Sequence, residues 1–241
     1  GTFRIMKENP DAVVAVTPAD HLIIKEDKFS EVIRESYRFA AGNNALLTLG
    51  IKPDRPETGY GYIQADTKKS VTGFSGLMKV KTFTEKPDIE LAKVFLESGD
   101  FYWNAGIFFW NINSIIEAFG KHLPDMFSAF EEGKEFFGTD REKRFIDKTY
   151  TECRNISIDY GIMEKAENVY VMCTDIGWSD LGTWTSLHEQ SPVDMRGNSR
   201  MRGEVFSYDT RGNIFSIAPG KIAVIQGLKD YIVVDTGDVL L

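Results

Sequence analysis

Ala12-Val13-Val14-Ala15-Val16-Thr17-Pro18-Ala19-Asp20-His21 is the stretch whose reading decides the fold. Its first five residues form an unbroken apolar run, the pattern of a buried strand rather than a one-sided one. Asp20 then falls just past the strand's carboxyl end, where open α/β sheets place their ligands. A second apolar run, Val169-Tyr170-Val171-Met172, leads into Asp175-Ile176-Gly177-Trp178-Ser179-Asp180-Leu181-Gly182-Thr183-Trp184. Two carboxylates at strand ends can converge on one hard cation such as Mg²⁺, which takes oxygen ligands and keeps water and substrate phosphates as the rest. The pair points to phosphoryl or nucleotidyl transfer. Each aspartate also has a plainer reading, as a turn residue after a strand.

Working outward, strand and helix patterns alternate over the first 190 or so residues. Phe29, Val32, Ile33, Tyr37 and Ala40 recur at helical spacing, and Gly42-Asn43-Asn44 closes that helix. Ala45–Ile51 reads as a second buried strand, Thr58–Ile63 as entry to another, and Val80–Lys86 as a half-buried strand of period two. Asp88, after Pro87, is placed to cap a helix through Leu91, Val94, Phe95 and Leu96. Tyr102–Trp110 is a further strand. A helical stretch follows from Ser114 to Thr151, with breaks near Lys121–Pro124 and Gly138–Asp140. Such alternation predicts a layered α/β fold.

The tail differs. Val205–Tyr208, Ile214–Ile217, Ile222–Ile225 and Tyr231–Val234 are short apolar runs punctuated by glycine turns, with no helical pattern between them. They predict an all-β appendage, either a small sheet or the opening turns of a β-helix. The expected domains are therefore 1–195, α/β, and 196–241, all-β. The first residues read as the last turns of a helix ended by Asn9-Pro10-Asp11, and Val239-Leu240-Leu241 stops within an apolar strand. The chain thus reads as a fragment, its α/β domain incomplete at the N-terminus.

Composition narrows the function classes. The 241 residues are 42% hydrophobic and 27% charged, with a formal net charge of −8. That balance argues against a nucleic-acid partner, which needs a basic face. No apolar run reaches the ~18 residues of a membrane span, so no membrane partner is expected. Cys153 and Cys173 lack zinc or disulfide spacing and read as reduced structural thiols of a cytoplasmic protein.

Several other residues could carry chemistry. Glu85-Lys86-Pro87 ends a strand: its carboxylate could accept from sugar hydroxyls and its lysine could neutralise a phosphate, or the two form an exposed ion pair. Asn104, in an aromatic strand, is either a structural hub or a reader of hydroxyls. Thr58-Gly59-Tyr60-Gly61-Tyr62 lacks both Walker and GxGxxG spacing, so its glycines serve close backbone approach or a turn. Asp159, in Ser157–Glu164, reads as a helix cap or packing contact as readily as a functional group.

Taken together, these segments resemble a known family. Thr17–His21, Glu57–Ile63, Phe83–Pro87, Tyr102–Phe108, Ser157–Lys165 and Gly177–Trp184 occur in the order seen in mannose-1-phosphate guanylyltransferases, also called GDP-mannose pyrophosphorylases. The resemblance covers essentially the whole chain. It implies a nucleotide-diphospho-sugar transferase-like (Rossmann-like) three-layer domain followed by a small left-handed β-helix-like domain. It also implies a reaction in which mannose 1-phosphate attacks the α-phosphorus of GTP, giving GDP-mannose and pyrophosphate with Mg²⁺ as cofactor. By the same resemblance Asp20 and Asp180 match the Mg²⁺-binding aspartates. Glu85 and Asn104 match residues that bond the mannose hydroxyls, and Lys86 matches a lysine near the sugar phosphate. Gly59 falls in the segment lining the sugar pocket, with Tyr60 and Asp159 as added substrate contacts. The family's glycine-rich signature loop, and a first strand expected at the centre of the sheet, have no counterpart here. The expectation is that these 241 residues alone do not turn over GTP.

Three alternatives stay open at this point. The chain could act on another sugar 1-phosphate or nucleotide, since base-reading residues fall in the segment without counterpart. It could be a non-catalytic paralogue that binds sugar nucleotides. It could belong to a larger protein with an isomerase domain downstream. The assembly stays open too: the family often forms homodimers, and the β appendage could supply the contact.

Overall fold

Val13–Val16 is strand β1 of a computed structural model that describes residues 1–241. Ahead of it lies α1 (Thr2–Glu8), and after it β2 (Leu22–Ile23), α2 (Glu26–Gly42) and β3 (Leu46–Ile51). Strands β4 (Gly61–Ser70) and β5 (Leu77–Glu85) form a hairpin-like antiparallel pair. Helix α3 (Ile89–Ser98) starts at Asp88, whose side chain accepts from the Leu91 amide at 2.8 Å. It ends at Gly99, which adopts φ +78° as a left-handed C-cap. Next come β6 (Phe101–Asn111), α4 (Ile112–His122), α5 (Pro124–Glu131) and α6 (Glu142–Glu152), so the helical stretch breaks where the sequence predicts. A single π-helical turn, Asp159–Met163, precedes β7 (Val169–Thr174) and β8 (Trp178–Ser179). The remainder is α7 (Trp184–Glu189), β9 (Ser199–Arg202), β10 (Glu204–Tyr208), β11 (Ile214–Ser216), β12 (Ile222–Gln226) and β13 (Ile232–Val234).

The chain divides into two compact units: Gly1–Ala19 with Ile23–Trp178, and Asp20–Leu22 with Ser179–Leu241. The division falls earlier than the 195/196 boundary read from the sequence. Its cause is the α7 segment, which is helical yet bonded to the β region. His188 Nδ1 lies 2.7 Å from Ser199 Oγ, and the Ser191 hydroxyl reaches Met201 Sδ at 3.5 Å.

The first unit holds a six-stranded mixed sheet of order β1-β6-β3-β7-β5-β4. Only β3 and β7 are parallel; the other pairings are antiparallel. Strand alternation sends side chains to two separate cores. Leu47 and Leu49 join Ile107, Phe109, Met172 and the α2 residues Val32 and Phe39 on one face. Leu46, Phe108, Trp110 and Val171 join Ile115, Leu123, Ile162 and Met163 on the other. Helices therefore cover both faces, the three-layer arrangement expected. Strand β6 pairs with β1 over Phe108–Asn111, with β3 between Trp103 and Phe109 across a register shift, and with β4 at Phe101–Trp103, and β1 stands at an edge.

In the second unit β9, β11 and β13 pair in parallel, as do β10 and β12. Short parallel strands at a constant step are the pairing pattern of stacked coils. Asn198 and Asn213 are buried between successive coils. Asn198 Oδ1 accepts from the Asn213 side chain at 2.8 Å, and Asn213 Oδ1 accepts from the Tyr231 amide at 2.9 Å. These amides satisfy backbone groups that a core of short turns would otherwise leave unpaired.

Candidate functional site

The candidate side chains of the first unit gather where β4, β5 and β6 meet the π-helical turn. Glu85 is the last residue of β5, and the next residue, Lys86, takes φ +48°. The left-handed turn is held by the Lys86 amide donating to the Tyr60 carbonyl at 3.2 Å. Lys86 Nζ lies 3.8 Å from Glu85 Oε1 on a largely exposed side chain. Glu85 itself is largely shielded: its Oε2 is buried with no partner, while its amide donates to Glu164 Oε1 at 3.0 Å. Burial, with the nearby Asp159 and Glu164 charges and against the pull of Lys86, pushes the Glu85 carboxyl up to about 7. Near neutral pH such a group both donates and accepts, which suits hydroxyl recognition.

Asn104 proves to be a hub. Its Oδ1 accepts from the Thr48 hydroxyl at 2.8 Å and the Gly106 amide at 3.2 Å, and its Nδ2 donates to Asp159 Oδ1 at 3.0 Å. These contacts fix the amide's orientation and leave one Nδ2 proton. Burial raises the Asp159 carboxyl above its ordinary value, partly offset by hydrogen bonds from its own amide, Asn104 and Ser157. Asp159 heads a π-helical turn, as the helix-start reading required, but its carboxylate faces Asn104.

Gly59 is exposed and open except toward Glu57, whose carboxylate accepts the Gly59 amide at 3.1 Å. Tyr60 is 7% exposed, its ring set edge-on between Trp103 and Trp178 at 5.1 and 5.3 Å. The ring is thus a packing element, and the polypeptide at Tyr60 reaches the site through its carbonyl.

Two residues here, Thr48 and Glu164, were not singled out in the sequence, and Gly61 was read there only as serving close backbone approach or a turn. Gly61 lies directly opposite Glu85 in the β4–β5 ladder, and a Cβ there would overlap Glu85 Oε2. Thr48 is fully buried and anchors Asn104. Glu164 accepts the Glu85 amide. The repeated glycine of Gly59-Tyr60-Gly61 was a visible signal; a threonine inside a strand was not.

Asp20 and Asp180 belong to the second unit. Asp20 is exposed in a bend after β1. Asp180 is half-buried, and its Oδ1 accepts the Gly182 amide at 3.0 Å beside Leu181, which takes φ +52°. Both offer carboxylate oxygens, the donor type a hard divalent cation takes. No group of three or more His, Cys, Asp or Glu side chains is placed to hold a metal ion. A cation bound by these two residues would need its remaining ligands from substrate and water.

The first unit is thus a mixed α/β sheet covered on both faces, with a shielded carboxyl at the end of β5 beside an oriented amide of β6. The chain belongs to the nucleotidyl transferase family, whose model matches residues 3–196. It is 35% identical over 240 residues to a mannose-1-phosphate guanylyltransferase of Escherichia coli, covering 99% of this chain and 51% of that protein. It is 36% identical over 234 residues to mannose-1-phosphate guanylyltransferase ManC of Salmonella typhimurium, covering 96% and 48%. The chain spans about half the length of these curated relatives. A solved structure described as mannose-1-phosphate geranyltransferase from Thermus thermophilus superposes with a TM-score of 0.84 at 28% identity, covering 100% of this chain and 68% of that one. Another, mannose-6-phosphate isomerase from Helicobacter pylori, gives a TM-score of 0.61 at 26% identity over 74% of this chain and 68% of that one. No helix is long and apolar enough to cross a membrane, and both cysteines are free thiols.

Proposed function

We propose that this chain is the nucleotidyltransferase portion of a mannose-1-phosphate guanylyltransferase, making GDP-mannose and pyrophosphate from GTP and α-D-mannose 1-phosphate. The observation that carries the reading is the Glu85–Asn104–Asp159 cluster, a set of oriented donors and acceptors suited to sugar hydroxyls, in a fold shared with relatives of that name.

In this reading Glu85 and the free Nδ2 proton of Asn104 bond the mannose hydroxyls, while Asp159 holds the Asn104 amide in place. Gly59 lines the sugar pocket with its backbone, and Lys86 brings a point charge to the sugar phosphate. A phosphate oxygen of mannose 1-phosphate attacks the α-phosphorus in line, and the bond to the β-phosphate breaks to release pyrophosphate. Asp20 and Asp180 would hold Mg²⁺, which offsets charge on the phosphates when bound. Positioning and electrostatic stabilisation supply most of the rate.

The test is pyrophosphate release by the full-length protein with GTP, mannose 1-phosphate and Mg²⁺, run beside glucose 1-phosphate and the other nucleoside triphosphates. Preference for the guanine and mannose pair is the expected result. A preference for another sugar phosphate or base would reassign the substrate, and binding of GDP-mannose without turnover would make the chain a sugar-nucleotide binder.

A further inference from the structure

Strand β5 pairs with β7 only over Leu77–Lys79, so the outer edge of its last residues has no strand partner. Adjacent amides of a strand point to opposite edges. The Lys86 amide bonds the Tyr60 carbonyl on the β4 side, so the Glu85 amide points to the open edge. A side chain meets it there: Glu164 Oε1 accepts at 3.0 Å.

The π-helical turn accounts for the reach of Glu164. In an α-helix, residues five apart lie about 140° apart around the axis. Here the Glu164 amide donates to the Asp159 carbonyl at 3.0 Å, an i→i+5 bond that closes a wider turn and brings residues five apart to one side. Asp159 and Glu164 thus serve the same pocket: one carboxylate holds the Asn104 amide, the other the end of β5. Packing pins the turn in this register. Ile162 and Met163 are buried in the core shared with Ile115 and Leu123. Gly161 lies so close to Leu123 that a Cβ would sit 2.9 Å from its Cδ1. Such turns are rare and are found frequently at functional sites.

The two holds converge. The space that a Gly61 side chain would take is bordered by Glu85 Oε2 and Asn104 Cβ. Of the charged groups facing Glu85, Asp159 and Glu164 come from the π-helical turn and Lys86 from the end of β5; β4 and β6 present Gly61 and Asn104, which do not titrate. Burial raises the Glu85 carboxyl most, the Asp159 and Glu164 charges add to it, and Lys86 opposes them.

We infer that Glu164 is a positioning residue of the sugar pocket: it holds the end of β5 through the Glu85 amide, so that the Glu85 carboxyl stays beside Asn104, and the π-helical turn is the device that delivers it. The inference rests on the proposed reading of Glu85 as a contact to sugar hydroxyls, and extends it to a residue that acts through Glu85 rather than on the substrate.

The test is steady-state kinetics of the full-length protein with GTP, mannose 1-phosphate and Mg²⁺, comparing Glu164→Ala, Glu164→Gln and Glu85→Gln with the parent. Calorimetric titration of mannose 1-phosphate and of GTP reads the same ratios without turnover. Glu164→Ala should raise KM for the sugar phosphate at least 5-fold and leave KM for GTP within twofold. Glu164→Gln keeps an oxygen for the amide but removes the charge. It should return the sugar-phosphate KM at pH 6 to within twofold of the parent, while the pH at which that KM changes moves down, because Glu85 then gives up its proton sooner. A glutamate that only props the fold would lower Tm and raise both KM values without moving the pH profile. If Glu164→Ala does not fold, the pH profile of Glu164→Gln decides. The inference is overturned if Glu164→Ala leaves the sugar-phosphate KM within twofold or raises both KM values alike, or if Glu164→Gln leaves the pH profile in place. Glu85→Gln separates the two readings. If it leaves the sugar-phosphate KM unchanged, the reading of Glu85 fails and this inference with it; if it raises that KM and Glu164→Ala does not, this inference alone fails.

Discussion

Gly61 faces Glu85 across the β4–β5 ladder, and the missing side chain of the one is the space filled by the carboxylate of the other. This makes Gly61 a positioning residue. Gly61→Ala should push the Glu85 carboxylate off its position and raise KM for the sugar phosphate about 10-fold or more, with overpacking costing ~1–3 kcal/mol of stability. Steady-state kinetics beside thermal melting checks this. An unchanged KM would show that Glu85 has room to move without consequence.

The raised Glu85 carboxyl makes stability pH-dependent with a defined sign. From its ordinary 4.5 up to about 7, the folded protein holds this proton more tightly than the unfolded chain does. Its contribution is therefore full below pH 4.5 and is lost as pH rises to 7. Partial exposure reduces the effect to ~1 kcal/mol. Glu85→Gln should remove this component, seen as a smaller fall in denaturation midpoint between pH 5 and pH 8 than the parent shows.

Asn104→Ala takes one partner from Asp159 and one from Thr48, whose hydroxyl keeps the Ile107 carbonyl at 3.2 Å. A net lost hydrogen bond costs ~1 kcal/mol, so a modest loss of stability is expected together with loss of turnover. Thr48→Val separates the two effects: the scaffold stays, but the amide loses one of its holds. Expected are a near-parental Tm and a several-fold lower kcat/KM. A Thr48→Val protein with unaltered kinetics would show that Asp159 and Gly106 suffice to orient the amide.

Asp20→Asn and Asp180→Asn should each lower kcat by ~10² or more, the scale of one lost electrostatic contact in a transition state. Both should also raise the Mg²⁺ concentration needed for half-maximal rate. Pyrophosphate release measured across a Mg²⁺ series checks both points. Parental rates in both variants would keep the family and reject these two aspartates as the metal pair.

Asp88→Ala removes the side-chain acceptor for the Leu91 amide at the start of α3. A lost N-cap costs ~1 kcal/mol. Denaturant melts should show the midpoint falling by that amount with an unchanged slope, because the same surface is exposed on unfolding.

Much of this molecule was legible before any coordinate. The strands around Leu46–Ile51, Phe101–Asn111 and Val169–Thr174 announce themselves as apolar runs, and the breaks near Lys121–Pro124 and Gly138–Asp140 as proline and glycine punctuation. Asp88 was readable as a cap because capping is local chemistry. What stayed hidden depends on contacts distant in sequence. Nothing near Thr48 reveals that it meets Asn104, and nothing near Gly61 reveals that Glu85 lies across from it. The position of β1 at an edge follows from the length and bends of β6, which no short window of sequence reports.

Strand β6 joins Val13 to Asn111, Gly50 to Asn104 and Tyr62 to Trp103. Each of these pairings closes a long loop, so each carries its entropic cost before any of the sheet's burial is realised. Assembly of the sheet is therefore expected to depend on the arrival of this segment, alongside the still longer closure of β3 on β7. Conservative truncations along β6, such as Ile107→Val, should slow refolding nearly as much as they destabilise. Truncations in α3, which lies outside this set of pairings, should act on unfolding instead.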